Sequence, residues 1–173
     1  LSACSETTPP LAPTPVAGPT PAAPVVSLPT AVPGVLSIAL PIADGDSATT
    51  AFGIAPFGYH GADHALDGHP GWDIEYRPGA SVRAAAAGTV QSVLPDSTGR
   101  SVVQIEHVIG THHYRTVYTN LQTVASDVAP SLAVESGQVL GIAGSVTTTA
   151  GTATVTYAMT HFQLDDFEFY RDV

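Results

Sequence analysis

The sequence has no lysine, a single cysteine and few charged residues, and each shortage excludes a class of function. Without lysine the chain has no Schiff-base amine, no P-loop and no attachment point for biotin or a lipoyl group. Its net charge is −10 with only five basic residues, which argues against nucleic-acid binding because that depends on neutralising phosphates. One cysteine excludes an intrachain disulfide and a cysteine-rich zinc cluster. There is no run of about 18 apolar residues, so no membrane-spanning helix is predicted.

Proline is unevenly distributed, and its distribution predicts two parts of different character. Nine of the 15 prolines precede residue 34, in a stretch dominated by Ser, Thr, Pro, Ala and Gly. Such a stretch buries too little apolar surface to offset the entropy lost on ordering. We therefore expect a disordered, extended Pro/Ala/Thr-rich tether over residues 1–34. The remainder, residues 35–173, is long enough and apolar enough for one folded domain.

The tether begins with Leu1-Ser2-Ala3-Cys4, which resembles a bacterial lipobox, the motif in which a small residue precedes a lipidated cysteine. The resemblance implies a lipid on Cys4 and an extracytoplasmic domain anchored to the membrane through that lipid. A chance cysteine near a terminus is the alternative, because four residues are a short match.

Strand signals recur about every ten residues in the second part of the chain. They are short, rich in β-branched residues and separated by turn sequences at 95–99 and 109–112, whereas no window has a helical period. We predict an all-β domain, a small antiparallel β-sheet of the sandwich or β-roll kind. An apolar stretch at Val35–Ile42 is expected to be an edge strand because it contains Pro41. The other predicted strands are 81–83, 89–94, 101–107, 114–118, 139–142 and 152–164, with a further strand starting at Trp72.

Two histidines and one aspartate lie where strands could bring them together. His69 and Asp73 flank a Pro-Gly turn, and an imidazole nitrogen with a carboxylate oxygen suits Zn²⁺. The last strand alternates, so it projects Met159, His161 and Gln163 from one face. His161 could then complete a His₂Asp site with an open fourth position, which is the arrangement of catalytic zinc. The spacing alone leaves open that His161 is a packed sheet residue bonded to the backbone.

The sequence does not support a serine hydrolase or a calcium-binding loop. No Ser/His/Asp order or G-x-S-x-G elbow is present, so a serine hydrolase is not predicted. The acidic residues near the end of the chain lack the spacing of a calcium-binding loop. We expect these residues to form a solvated terminus: Asp165, Asp166 and Glu168.

Six motifs follow one another along the second part of the chain. They are H-x-G-x-D at 69–73, P-G-x-x-V-x-A-x-x-x-G-x-V at 78–90, V-x-I-x-H at 103–107, T-V-Y-x-x-L at 116–121, G-Q-x-x-G-x-x-G at 137–144 and H-F at 161–162. In this order they resemble the lysostaphin-type (LytM-like) zinc endopeptidases of bacterial cell walls, over about His69 to Leu164. The resemblance implies a small antiparallel β-sheet and one Zn²⁺ held by His69, Asp73 and His161. It also implies a cell-wall peptide or an envelope protein as partner.

The chain departs from this family at two positions that matter for hydrolysis. Asn120 and Met159 stand where the family has histidines, and the resemblance implies that those histidines act as the base and as the stabiliser of the oxyanion. Asn120 could still donate a hydrogen bond to an oxyanion, but neither residue can accept a proton near pH 7. A smaller departure is Gln163, where the family often has Glu.

Three functional interpretations stay open, and they leave undecided whether the chain is an enzyme. The first is an extracytoplasmic zinc-binding domain that resembles cell-wall metalloendopeptidases and is degenerate or has altered hydrolytic chemistry. The second is a non-catalytic module that binds a cell-wall peptide or a partner protein. The third is an active peptidase whose base comes from the loop at 58–68, where His60 and His64 are the candidates; Glu75 and Asp67 are weaker ones.

Overall fold

Eight antiparallel β-strands and no α-helix make up the residues that the computed structural model describes, 34–43 and 68–166. The predicted all-β antiparallel fold is therefore confirmed, and the described part of the chain offers no helix that could cross a membrane. The expected tether with Cys4, the loop with His60 and His64, and Glu168 lie outside the described residues. The strands are β1 (Trp72–Tyr76), β2 (Ser81–Arg83), β3 (Gly88–Pro95), β4 (Ser101–Ile109), β5 (His112–Val124), β6 (Ala133–Val134), β7 (Val139–Ala150) and β8 (Ala153–Asp166).

All eight strands belong to one hydrogen-bonded sheet that curls on itself. The strand order is β1-β8-β7-β5-β4-β3-β6, with β2 paired to β7 and β8 also paired to β5. Register shifts interrupt four of the ladders, and such bulges bend a strand and increase its twist. As a result β8 pairs with β1 up to Phe162 and with β5 from Phe162 onward. This strand is therefore held by three neighbours at once.

One local prediction from the sequence is wrong. The stretch Val35–Ile42 is not an edge strand but irregular backbone beside the sheet. Ala39 N–H donates to Ala85 O at 2.8 Å and Arg83 N–H donates to Pro41 O at 2.9 Å, while Pro41 itself has no N–H with which to continue a ladder. The turn predicted at 109–112 is present, because Ile109 at the end of β4 is paired with His112 at the start of β5 and Gly110 between them has a φ of 64°.

The core is mainly aliphatic and contains two fully buried tyrosines whose hydroxyls are hydrogen-bonded. Tyr76 OH donates to Pro41 O at 2.9 Å, and Ala85 N–H donates to Tyr118 OH at 2.7 Å. Burial raises the pKa of Tyr118 to about 12. Because a buried polar group without a partner costs about 1–3 kcal/mol, these bonds fix the segments around Pro41 and Ala85 against the sheet.

His107 is a core residue, and its side chain is 1% exposed. Its Nδ1 lies 2.8 Å from Ala87 O and its Nε2 lies 2.8 Å from Thr116 Oγ1. A carbonyl can only accept, so Nδ1 carries the proton and Nε2 accepts from the threonine hydroxyl. Burial lowers the pKa of His107 from its ordinary value, although Ala87 O and the charge of Glu106 act in the opposite direction.

We expect His107 to make the domain sensitive to acid. Its folded-state pKa lies below the unfolded value of 6.5, so the unfolded chain takes up the proton first as the pH falls. The stability contributed by neutral His107 is therefore complete above about pH 6.5 and is lost as the pH falls through the folded-state pKa. The free energy of unfolding in urea, measured between pH 8 and pH 5, should fall more steeply for the wild type than for His107→Gln. Parallel curves would contradict this role.

Candidate metal centre

Three side chains selected from the sequence converge beside the β1–β8 pair. His69 Nε2 lies 3.0 Å from His161 Nδ1 and 3.4 Å from Asp73 Oδ1. His161 Nδ1 lies 3.1 Å from the same aspartate oxygen. His69 is buried, whereas Asp73 and His161 are partly exposed. One nitrogen or oxygen atom of each side chain therefore faces a common point near the surface.

Strand register and one glycine determine this convergence. Asp73 on β1 is directly opposite His161 on β8, so their side chains project from the same face of the sheet. His69 reaches them from the turn before β1. A Cβ at Gly71 in that turn would lie 2.8 Å from both Cε1 and Nε2 of His161 and would collide with the Phe162 carbonyl. The glycine of the H-x-G-x-D motif is therefore needed so that the His161 ring can lie against the turn.

The donor atoms and their spacing fit a zinc ion. Zinc–ligand bonds of about 2.0–2.1 Å in a tetrahedron place neighbouring ligand atoms about 3.3–3.4 Å apart, and the three observed separations are 3.0, 3.1 and 3.4 Å. Two imidazoles and a carboxylate are ligands that zinc takes in proteins, and three of them leave a fourth position open. The same atoms could be hydrogen-bonded to one another without a metal, so metal content is the quantity that distinguishes the two states.

Asn120, the predicted oxyanion donor, is bonded to the backbone of two other strands. Its Nδ2 donates to Met159 O at 2.7 Å and to Gly144 O at 3.1 Å, which uses both amide hydrogens. The residue has a φ of 59°, a left-handed conformation that Asn, Asp and His adopt more readily than other non-glycine residues. Donation to an oxyanion would require one of these two bonds to open, and that role stays a prediction.

A carboxylate and a phenol lie on the same face of the sheet as the candidate ligands. Glu75 follows Asp73 by two positions on β1 and is directly opposite Met159 on β8. Tyr157 precedes Met159 by two positions and so projects from this face as well. Burial, together with the charges of Glu75 and Asp73, raises the pKa of Tyr157 and keeps the phenol protonated at neutral pH. This face thus offers a proton acceptor and a hydrogen-bond donor on the side of the sheet to which Met159 belongs, one of the two positions where the family has histidine.

Two further histidines lie in β5, outside the group formed by His69, Asp73 and His161. His113 Nδ1 is 2.8 Å from Glu106 Oε1 on the neighbouring strand. The exposed His112 ring is stacked on Tyr114 with ring centroids 6.5 Å apart. These are ordinary contacts on the surface of a strand, away from the candidate centre. His112 and His113 can therefore serve as control positions for substitutions in that centre.

Asp165 contradicts the expectation of a solvated terminus. It is 7% exposed, and Arg115 Nε and Nη2 donate to its Oδ2 at 3.0 and 2.6 Å. No local pattern indicates this pair, because Arg115 lies 50 residues earlier in the chain. The one available signal was the alternation of β8, which puts Asp165 on the same face as His161 and Gln163.

Comparison with known proteins identifies a family and a fold. A sequence model of Peptidase family M23 matches residues 67–167. No curated protein sequence is significantly similar to the chain.

Several solved structures share the curled sheet. A zinc-containing peptidase from Vibrio cholerae superposes with a TM-score of 0.54 at 24% identity, over 76% of this chain and 37% of that one. Helicobacter pylori Csd3 gives a TM-score of 0.52 at 20% identity, over 76% of this chain and 32% of that one. LytU gives a TM-score of 0.50 at 23% identity, over 64% of this chain and 70% of that one. These likenesses establish the fold, and the chain spans about a third of the length of the first two proteins.

Replacement of Gly71 by alanine should disrupt the centre while leaving most of the sheet intact. The added Cβ would displace the His161 ring, so we expect zinc affinity to fall by at least about tenfold, as when a ligand loses its orientation. Competition with a chromophoric chelator measures the affinity, and far-UV circular dichroism checks the fold.

Gly151→Ala is the matched control for this substitution. Gly151 has a φ of 62° at the tip of the β7–β8 hairpin, and a Cβ there would meet no atom within 4 Å. Its replacement should cost stability through backbone strain, about 1–2 kcal/mol, without changing zinc affinity. Equal affinities of the two variants would show that the contact between Gly71 and His161 is unimportant.

Proposed function

The chain belongs to peptidase family M23, and we propose that it is an extracytoplasmic zinc-binding domain that engages cell-wall peptides and is degenerate, or chemically altered, as a hydrolase. The observation that carries this proposal is the convergence of His69 Nε2, Asp73 Oδ1 and His161 Nδ1 at separations suited to zinc. The substrate class is proposed by analogy with the family. The solved structures are less than 25% identical to this chain, and at that level similarity supports a common fold but not a common substrate.

The three ligand residues would hold the ion and leave one position open toward solvent. A zinc ion there would act as a Lewis acid toward a peptide carbonyl. Asp73 would offset half of the charge of the ion, and the two neutral imidazoles would supply the remaining protein bonds. Binding the ion therefore requires no residue other than His69, Asp73 and His161.

Proton transfer is the part of the reaction for which this chain is poorly equipped. Asn120 cannot accept a proton near neutral pH, and its amide hydrogens are bonded to Met159 O and Gly144 O. Met159 is a thioether and offers no proton-transfer group. The loss of a general base typically lowers the rate about 10²–10⁴-fold, and the loss of an oxyanion donor about 10²–10³-fold. We therefore propose that ordinary peptide hydrolysis is slow or absent.

Glu75 favours the variant of this proposal in which hydrolysis persists by altered chemistry. Its carboxylate lies on the site face opposite Met159 and could take the proton from an attacking water. Tyr157, whose phenol is protonated at neutral pH, could then donate a hydrogen bond to the developing oxyanion. In that case Glu75→Gln would remove the residual activity. The alternative base from His60 or His64 belongs to the same proposal.

A non-catalytic binding module is the second candidate function. The bonds from Asn120 to the backbone of β7 and β8 favour it, because they give this side chain a structural use in place of a catalytic one. A cell-wall peptide or an envelope protein would be the partner in either case. Lipidation of Cys4 would hold the domain at the outer face of the membrane, which we propose from the Leu1–Cys4 motif and the proline-rich composition that follows.

The zinc site is tested by the metal content of tag-free protein, measured by elemental mass spectrometry after removal of free metal. We expect about one zinc per chain for the wild type, because the three ligands form a single centre. His161→Ala should lose the metal because it removes one of three ligands. His113→Ala, which changes a histidine of β5 outside the centre, should retain it. A wild-type protein that takes up no zinc from excess metal would overturn the proposal.

The proposed loss of proton transfer is tested by restoring the family's histidines in Asn120→His/Met159→His. Histidine suits the left-handed backbone at residue 120, but it loses the two bonds from Asn120 Nδ2, so far-UV circular dichroism must first show that the double variant is folded. We expect its hydrolysis of purified peptidoglycan or of glycine-rich peptides to exceed that of the wild type by about 10²-fold or more.

The same double variant with His161→Ala added is the control, and it should show no gain. A wild type that already cleaves as fast as the double variant would show that the chain has another effective base. Comparison with Glu75→Gln would then tell whether that base is Glu75.

A further inference from the structure

We propose that the outer edge of β8, before Ala158, binds an extended, uncharged peptide as an additional strand of the sheet. The inference rests on the proposed function and names how the domain holds a peptide, which is through the peptide main chain and not through particular side chains. The outer part of the β7–β8 hairpin, residues 145–157, carries this edge and is called the ribbon.

The ribbon extends beyond the other strands of the sheet. Its strands pair only with each other over five residue pairs, from Val146 with Tyr157 to Ala150 with Ala153, in the part of the chain that the structure describes. At about 3.4 Å per residue this unsupported length is about 17 Å. Both edges of the ribbon therefore present main-chain N–H and C=O groups that no other described strand uses.

A tight turn takes β1 away from the edge of β8. β1 ends at Tyr76, and Ala80 N–H then donates to Arg77 O at 3.0 Å. Pro78 and Gly79 occupy the two central positions, and the φ of 79° at Gly79 is that of a type II turn. The chain continues into β2, which pairs with β7 and not with β8. Among the described strands, none follows β1 along the outer edge of β8.

The ribbon lacks the features with which proteins usually protect an exposed edge. Residues 145–157 contain no charged residue and no proline, and their ladder has no bulge, although charges, prolines and bulges are the common protections. Threonine hydroxyls pair across the strands, at 3.0 Å for Thr147 with Thr156 and 3.3 Å for Thr149 with Thr154. These side chains are thus occupied within the ribbon, whereas the main-chain groups of its edge stay available.

The edge of β8 is better placed for a ligand than the edge of β7. At the base of the ribbon Arg100 Nη2 donates to Ser145 O at 3.4 Å, so a cationic side chain covers the start of the β7 edge. The edge of β8 instead continues the line of β1, the strand that carries Asp73 and Glu75. A peptide strand bound there runs toward the end of β1 and toward the face that holds the candidate metal centre.

The surroundings of the edge determine the kind of peptide. Side chains of an added strand alternate between the two faces, so they lie beside Val155 and Tyr157 on one face and beside Thr154 and Thr156 on the other. None of these neighbours is charged, so a charged side chain finds no partner among them. The charge of Glu75, which acts on Tyr157, disfavours an acidic peptide. The five open positions of β8 match a peptide of about five uncharged residues.

N-methylation of a peptide tests whether its main chain is recognised. The probe is pentaglycine with a C-terminal amide and an N-terminal fluorophore, and its binding to the metal-free full chain is measured by fluorescence anisotropy. One modified probe has N-methyl groups on its second and fourth residues, which lie on the same edge of an extended peptide and leave the other edge intact. A second modified probe has them on its second and third residues, which obstructs both edges.

We expect the first modified probe to bind within about threefold of the unmodified one and the second to bind at least about tenfold more weakly, because main-chain hydrogen bonds of the bound strand are lost. Both modified probes carry two N-methyl groups, so recognition by other means would affect them alike. Equal losses for the two, or no binding of the unmodified probe, would overturn the inference.

A shortened ribbon tests the location of the edge. Replacement of residues 148–155 by Asn-Gly removes three of the five open positions of β8 and leaves a two-residue turn between the opposite residues Thr147 and Thr156. We expect this variant, with its fold checked by circular dichroism, to bind unmodified pentaglycine at least about tenfold more weakly. The matched control is Thr147→Val/Thr156→Val, which keeps the backbone and should bind like the wild type. Wild-type affinity in the shortened variant would contradict the proposed edge.

Sedimentation without peptide tests a different occupant, a second copy of this chain. We expect the wild type to be a monomer, and a dimer that dissociates when the ribbon is shortened would overturn the inference. The peptide measurements use metal-free protein and so do not depend on zinc. A wild type that distinguishes the two modified probes but takes up no zinc would refute the proposed metal centre and leave the edge standing, whereas one that binds zinc and no probe would do the reverse.

Discussion

The pairing of β1 with β8 is the constraint on which the site depends. Asp73 and His161 meet only because they are directly opposite in this ladder, and a slip of one residue would turn one of them to the other face of the sheet. The register is well determined because β8 also pairs with β7 and β5. Gly71 adds a local condition, since any larger residue would meet the His161 ring. The same strand pairings therefore determine both the curl of the sheet and the positions of the candidate ligands.

Much of the fold was predictable from the sequence, and the reasons for the failures are physical. Strand alternation and turn residues are local signals, so strands such as Ser81–Arg83 and the shared face of Met159, His161 and Gln163 could be predicted. The pairing of β8 with three neighbours could not, because register between distant segments leaves no local trace. For the same reason Asp165 was expected in solvent: the arginine that buries it lies 50 residues away.

The candidate site was predictable to the extent that it repeats a family pattern. The order of the motifs points to His69, Asp73 and His161, and the structure brings one ligand atom of each side chain together. The contacts of Asn120 were not predictable, because its amide bonds to the backbone of β7 and β8 and not to a motif residue. A sequence motif specifies which residue type stands at a position. The hydrogen-bond partners of that side chain depend on the neighbouring strands, which the motif does not specify.

The candidate metal ligands and the two departures from the family pattern depend on different features of this sheet. Asp73 and His161 are brought together by the backbone register of β1 and β8, and Met159 lies in the same ladder opposite Glu75. Asn120 joins β5 to β7 and β8 through its side-chain amide, so the residue that stands in place of a histidine still stabilises the sheet. A change of side chain at 120 or 159 can therefore alter the chemistry offered at the site while the register that places Asp73 and His161 is kept.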